Sequence, residues 1–250
     1  ELLELPSSEF ESKIGDYYMM LTTDKRFVLL DDGNWDLRTR HTSDKVVKII
    51  EEDEELETEE WKHIIDECRK ACIPQLTFTG GEPTLRSDLV ELVEYASWFV
   101  TRVNTNGILL TKELCASLYE ASLDAIQVTL YSHEEHIHNL LVGANTFKKT
   151  IEGIKNAIDA GLNVSINTPL CSLNKDYFEL IKFAHNELGV NYFTCSGIII
   201  TGNATSSYAV DTQLSKEEIT YILRKVAPFA HNKGIGINFT SCVIAPRLLS

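Results

Sequence analysis

No apolar run in this 250-residue sequence approaches the roughly 20 residues that carry a helix across a bilayer. The first ten residues, ELLELPSSEF, lack the basic and apolar regions of a secretory signal. A cytoplasmic location with no membrane partner is the default expectation. Basic residues are scarce too: 23 Lys and Arg stand against 37 Asp and Glu, a formal charge of −14, which disfavours direct contact with bare nucleic acid. Cysteine offers no disulfide framework, since Cys68, Cys72, Cys115, Cys171, Cys195 and Cys242 are scattered. Cys68 and Cys72 extend an apolar helical stripe through Trp61, Ile64 and Ile65, which favours packing over metal ligation.

What is present is enough for a sizeable core, with 44% hydrophobic residues. Glu51, Glu52, Asp53, Glu54, Glu55, Glu57, Glu59 and Glu60 form an acidic run that reads as a solvated boundary. Past it the chain alternates. Thr58 caps a first helix ahead of a strand over 75–79, and a helix over 88–96 precedes a strand over 99–105. Thr111 caps the next helix, before a strand over 124–130; Phe147, Ile151, Ile154 and Ile158 step along another, stopped by Gly161. A strand over 163–168 follows, then a helix capped by Asn174 and closed by Gly189, then a strand over 191–198. Ser215 and Glu218 form a capping box for a helix that Pro228 should kink, and a last strand spans 236–240. Alternation of this kind predicts an α/β fold with a parallel sheet, either open and doubly wound or closed into a partial or complete barrel.

In such sheets ligands gather at the carboxyl ends of the strands. There fall Gly80 to Pro83, Asn104 to Gly107, Thr129 to Ser132, Asn167 and Gly197. The stretch TFTGGEPTL is the most telling, because a glycine pair lets backbone approach a ligand and Glu82 adds one carboxylate. The bland alternative is a structural turn. His133, His136 and His138, flanked by Glu134 and Glu135, read as a solvated helix start in preference to a metal site.

The stretches TFTGGEPTL, VNTNGILL, IQVTLYS, FKKTIEGIKNAIDAGLNVSINTPL and YFTCSGIIITGNA, in this order and spacing, resemble the radical S-adenosylmethionine enzymes over about 56–245, above all the branch that modifies peptides and proteins. The resemblance implies a partial (β/α) barrel with S-adenosylmethionine across its strand ends, split by a [4Fe-4S] cluster to a 5′-deoxyadenosyl radical, and a peptide or protein substrate. It further implies that Gly80 and Gly81 bond the methionine part, that Glu82 faces the ammonium and that Pro83 fixes the strand exit. Thr129 would lie near the methionyl carboxylate, Asn167 near the ribose, and Gly197 with Ile198 against adenine. Asn104 and Asn106 would line the site, although Asn106 with Gly107 is also a sufficient turn. A basic residue common in the family is replaced by Val142. The family's Cys-x3-Cys-x2-Cys loop is not found before Gly80, where Cys68 and Cys72 share only its first spacing and Gln75 stands at the third position. Since such clusters are held by thiolates, this chain is expected to be inactive in cleavage.

Residues 8–50 resemble a different family. A helical stretch through Phe10, Ile14 and Tyr17 leads to Arg26–Leu30 and Asn34–Arg38 around Asp31-Asp32-Gly33, a hairpin signal. With Trp35-Asp36-Leu37-Arg38 this looks like the winged-helix domain of the delta subunit of bacterial RNA polymerase, implying a small winged-helix-like α+β segment and RNA polymerase as a partner. The expected organisation is a partial winged-helix-like segment over 1–50, an acidic linker over 51–57 and a partial barrel over 58–250. Two functions compete: a radical S-adenosylmethionine lineage acting on a peptide, or a non-enzymatic delta-like binding module joined to a barrel remnant.

Overall fold

Two spacings of apolar residues take turns along this chain, and each builds its own kind of element. In a computed structural model that describes residues 27–29, 35–37, 55–197 and 214–239, the chain divides into two units, 1–57 and 58–250. In the first unit β1 (Phe27–Leu29) pairs antiparallel with β2 (Trp35–Leu37), Phe27 opposite Leu37. The rest of the expected winged-helix-like segment lies outside the described residues.

The second unit begins with α1 (Thr58–Lys70) and then β3 (Gln75–Phe78). A 3-10 turn (Pro83–Leu85) and α2 (Leu89–Tyr95) lead to β4 (Val100–Thr105). α3 (Lys112–Glu120) precedes β5 (Ala125–Thr129), and α4 (Glu135–Val142) with α5 (Phe147–Asp159) precedes β6 (Val164–Leu170). α6 (Tyr177–Leu188), β7 (Tyr192–Gly197), α7 (Lys216–Lys233) and β8 (Gly236–Phe239) complete it. The six strands β3 to β8 lie side by side in chain order, every pair parallel. This is the partial (β/α) barrel that the resemblance implies, one of the forms that the alternation allows. No helix among the described residues is long and apolar enough to cross a membrane.

Period-two burial gives the sheet its two faces. Val103, Ile126, Val128, Ile166 and Phe193 pack with Leu118, Ile154, Leu180, Ile181 and Val226 from the helices into one core. Alternate residues, among them Arg102, Asn104, Gln127, Thr129, Asn167 and Thr194, point to the other face and stay half-buried. A smaller core joins Ile65 to Leu92, Ala96 and Phe99. Buried polar strand residues are satisfied locally: Thr168 Oγ1 donates to the Leu130 carbonyl at 2.8 Å and the Thr101 amide to Asp124 Oδ2 at 2.7 Å.

Several local expectations need correction. Of the α1 stripe only Ile65 is buried, Cys68 is half-buried, and Trp61, Ile64 and Cys72 are exposed. Cys72 lies beyond the helix end with φ +56°, because the chain must turn sharply there to enter β3. The Thr58 hydroxyl donates to Asp88 Oδ2 at 2.7 Å. Asn174 does not cap α6; it closes a 3-10 turn over Ser172–Asn174 and is occupied by other bonds, while Asp176 holds the N-cap position. The Ser215–Glu218 capping box is present, and α7 runs through Pro228 to Gly234.

Candidate functional site

β3 stops where its side chains stop. Beyond Phe78, Gly80 has φ +146°, and a Cβ built on Gly80 or Gly81 meets no atom within 4 Å, so both backbones border open space. Glu82 turns the chain back. Its Oε1 accepts from the Thr84 amide at 3.1 Å, from the Thr84 hydroxyl and, across the sheet, from the Thr105 hydroxyl at 2.6 Å. Its Oε2 accepts from the Asn106 amide at 2.8 Å. The carboxylate therefore ties the end of β3 to the end of β4, and Oε2 keeps a lone pair free. Pro83, buried, opens the 3-10 turn that follows.

The loop after β4 is held from outside by α5. Thr150 Oγ1 donates to the Asn106 carbonyl at 3.1 Å and Asn156 Nδ2 to the Leu110 carbonyl at 2.8 Å. Between them a Cβ on Gly153 would stand 2.0 Å from the Gly107 carbonyl oxygen. Residues 150, 153 and 156 thus form one helix face that needs a glycine at its centre. Asn106 Oδ1 accepts from the Ile108 amide at 2.8 Å, closing the turn. The start of α5 is capped from α4, where Asn139 Oδ1 accepts from the Thr146 and Phe147 amides at 2.9 and 3.0 Å.

These elements enclose a cavity of about 320 Å³ lined by Gly80, Gly81, Glu82, Asn104, Asn106 and Thr129. Glu82 is its one carboxylate; no Lys or Arg lines it, and Val142 does. Asn104 Oδ1 is buried there without a hydrogen-bond partner. The remaining expected site residues are not part of this lining. Asn167 sits beside Thr129 in the sheet register and its Oδ1 accepts from the Ser196 hydroxyl at 3.4 Å. Gly197 ends β7 opposite Leu170, and Ile198 lies outside the described residues. The sequence reasoning missed Tyr131 and His138, which also line the cavity. Tyr131 lies two residues past the end of β5, and its carbonyl accepts from Asn174 Nδ2 at 2.8 Å.

His138 overturns the expectation of a solvated histidine cluster. It is 1% exposed, packed edge-on against Tyr131 and Phe147. The acids Glu134 and Glu135 stay exposed at the start of the helix, one turn before it. Nδ1 accepts from the Tyr131 amide at 3.4 Å, which leaves the proton on Nε2, facing Thr146 Oγ1 at 3.3 Å. Burial holds the imidazole below the usual histidine range. Below pH ~6.5 the unfolded chain takes up a proton that the folded chain refuses, so stability falls as pH drops through that value and levels off below the folded pKa. The urea midpoint of the wild type is expected to decline between pH 7.5 and 5.5, and that of His138→Gln to decline less; parallel declines would refute the assignment.

The cavity fits an amino-acid cofactor end: Glu82 Oε2, Asn104 Oδ1 and the glycine backbones supply acceptors for an ammonium group. An iron–sulfur cluster is a different matter. Among the described residues no three His, Cys, Asp or Glu side chains gather as a metal site. Cys115, Cys171 and Cys195 are buried, and burial pushes the Cys115 and Cys195 thiols up to about 11 and about 12. The described residues therefore do not fit a cluster.

Comparison with known proteins gives four likenesses. The family profile of the Radical SAM superfamily matches residues 38–184. Over 124 residues the chain is 41% identical to the probable GTP 3′,8-cyclase of Saccharolobus islandicus, covering 48% of this chain and 40% of that protein. Over 124 residues it is 35% identical to the PqqA peptide cyclase of Bradyrhizobium diazoefficiens, covering 48% of this chain and 33% of that one. The chain thus spans well under half the length of either relative. The crystal structure of Streptococcus suis SuiB superposes with a TM-score of 0.65 at 17% identity, over 79% of this chain and 45% of SuiB. SuiB has also been solved bound to S-adenosylmethionine and to the precursor peptide SuiA. At that identity the likeness is one of fold.

Proposed function

The chain belongs to the radical SAM superfamily, and on that footing we propose that its strand-end cavity binds S-adenosylmethionine within a protein that acts on a peptide. The observation that carries the reading is the open diglycine backbone beside a carboxylate fixed by hydrogen bonds from Thr84, Thr105 and Asn106. In this assignment Gly80, Gly81 and the free lone pair of Glu82 take the ammonium, and Thr129 lies near the methionyl carboxylate. Asn167 is assigned to the ribose, Gly197 and Ile198 to adenine. When bound, the cofactor supplies an adenosyl sulfonium. The residues of this chain hold and orient it, and its cleavage is not assigned to them.

Relatives act on both peptides and, by name, on GTP. The peptide reading is preferred on the likeness to the PqqA peptide cyclase and to SuiB, which has been solved with its precursor peptide SuiA. A cytoplasmic location belongs to the same proposal. So does the division into 1–50, 51–57 and 58–250. An RNA polymerase contact through 1–50 rests on sequence likeness alone.

Calorimetric titration tests the reading. S-adenosylmethionine should bind one-to-one, and methylthioadenosine, which lacks the ammonium and carboxylate, more weakly; equal affinities or no binding would count against it. Val142, 38% exposed at the end of α4, lines the cavity where a cation would reach that carboxylate. Val142→Arg should tighten binding by about tenfold at low salt and less at high salt. An unchanged affinity would remove the methionine end from this part of the cavity.

A further inference from the structure

Arg102 is the one charged residue in the six strands β3 to β8. Strand alternation places it on the same face as Asn104, two residues deeper from the rim, or about 7 Å along the strand. There it lines a second cavity, of about 340 Å³, with Gln127, Ser165, Tyr192, Thr194 and Asn238. That lining holds no carboxylate. Gln127 Nε2 donates to Thr194 Oγ1 at 3.1 Å, which fixes the amide beside the cavity. Arg102 Nε is buried without a hydrogen-bond partner, as is Asn104 Oδ1 one step nearer the rim. The same strand face therefore carries two unmet polar groups, one opening on each cavity.

A guanidinium with a buried, unpaired N–H is costly, and nothing among the described residues pairs it. Its planar fork matches one carboxylate. A nucleoside triphosphate carries several charges, and no second cation lines the cavity. We propose that Arg102 anchors a carboxylate of the substrate, so that the peptide taken by this sheet is acidic at the residue that enters the lower cavity. This deepens the cofactor reading and rests on it: the rim holds S-adenosylmethionine, and an acidic side chain is held deeper on the same strand face. Arg102 is then a specificity-determining residue, remote from the methionine end.

The test uses two capped tripeptides, N-acetyl-Gly-Glu-Gly-amide and N-acetyl-Gly-Gln-Gly-amide, titrated with and without S-adenosylmethionine while the Arg102 Nε–H resonance is followed by NMR. The glutamate peptide should bind at least about tenfold more tightly and move that resonance. In Arg102→Gln the preference should vanish while affinity for S-adenosylmethionine stays within about twofold. Equal affinities of the two peptides, absence of binding by both, or an unmoved resonance overturns the proposal. Should S-adenosylmethionine fail to bind, the cofactor reading falls, and the comparison without it still decides the role of Arg102. Arg102→Met supplies a second measurement: loss of an unpaired guanidinium should raise the urea midpoint, and a lowered midpoint would reveal a partner within the protein and refute the proposal.

Discussion

Gly153→Ala destabilises the protein by about 2–4 kcal/mol, against the direction that helix propensity alone would give. In an open helix the same change stabilises by roughly 0.5–1 kcal/mol, because alanine loses less backbone entropy. Here the new Cβ would stand 2.0 Å from the Gly107 carbonyl oxygen and 3.1 Å from Leu110 Cβ. Backbone cannot rotate away as a flexible side chain does. α5 must therefore lift off the loop, which stretches the Thr150 bond to the Asn106 carbonyl and the Asn156 bond to the Leu110 carbonyl. The loss should be visible as a lower urea midpoint, with weaker binding of S-adenosylmethionine because the displaced loop carries Asn106. An unchanged or raised midpoint would mean that helix and loop do not meet as described. Gly189→Ala is the control: φ is +77° there but no atom lies within 4 Å, so only backbone strain of about 1 kcal/mol is expected.

Glu82→Ala should lower affinity for S-adenosylmethionine by about 100-fold, equivalent to about 2.7 kcal/mol. Two effects combine. The counter-charge to the ammonium goes, and the Thr84, Thr105 and Asn106 donors lose their common acceptor. The site is half-buried, so water can reach part of the gap, and the cost in stability is about 1–3 kcal/mol. Glu82→Gln separates the effects. It keeps the volume and one acceptor oxygen, yet its amide N–H2 would face the Asn106 N–H, so it too should bind weakly while losing less stability. Wild-type affinity in both variants would remove Glu82 from the cofactor site.

Much of this was legible because short-range rules decide it. Strands and helices alternate in separate stretches of sequence, and glycines 161, 189 and 234 end their helices in the left-handed region as expected. Gly80, Gly81, Glu82, Asn104, Asn106 and Thr129 fall at successive strand ends, and parallel pairing in chain order brings them to one cavity. Other features depend on what packs against them. The acids Glu134 and Glu135 made His138 look solvated, whereas the short helix turns it inward onto Tyr131 and Phe147. Asn174 resembles a cap by type and spacing, but a 3-10 turn intervenes and its amide bonds to the Tyr131 and Pro169 carbonyls at 2.8 and 3.0 Å. Nothing in its own helical stretch marks out Gly153, and only the neighbouring loop explains it. Arg102 was the readable miss. The alternation in Val-Thr-Arg-Val-Asn-Thr already put it on the face of Asn104.

The central claim is that the diglycine rim is where S-adenosylmethionine sits. Nitrogen–proton correlation spectra recorded during titration with S-adenosylmethionine address it residue by residue. Saturable shifts of the Gly80, Gly81, Asn106 and Gly107 amides and of the Asn104 side-chain amide are expected, with the Gly189 and Gly234 amides unmoved. Shifts confined to residues away from this rim, or no saturable shift at all, would contradict it.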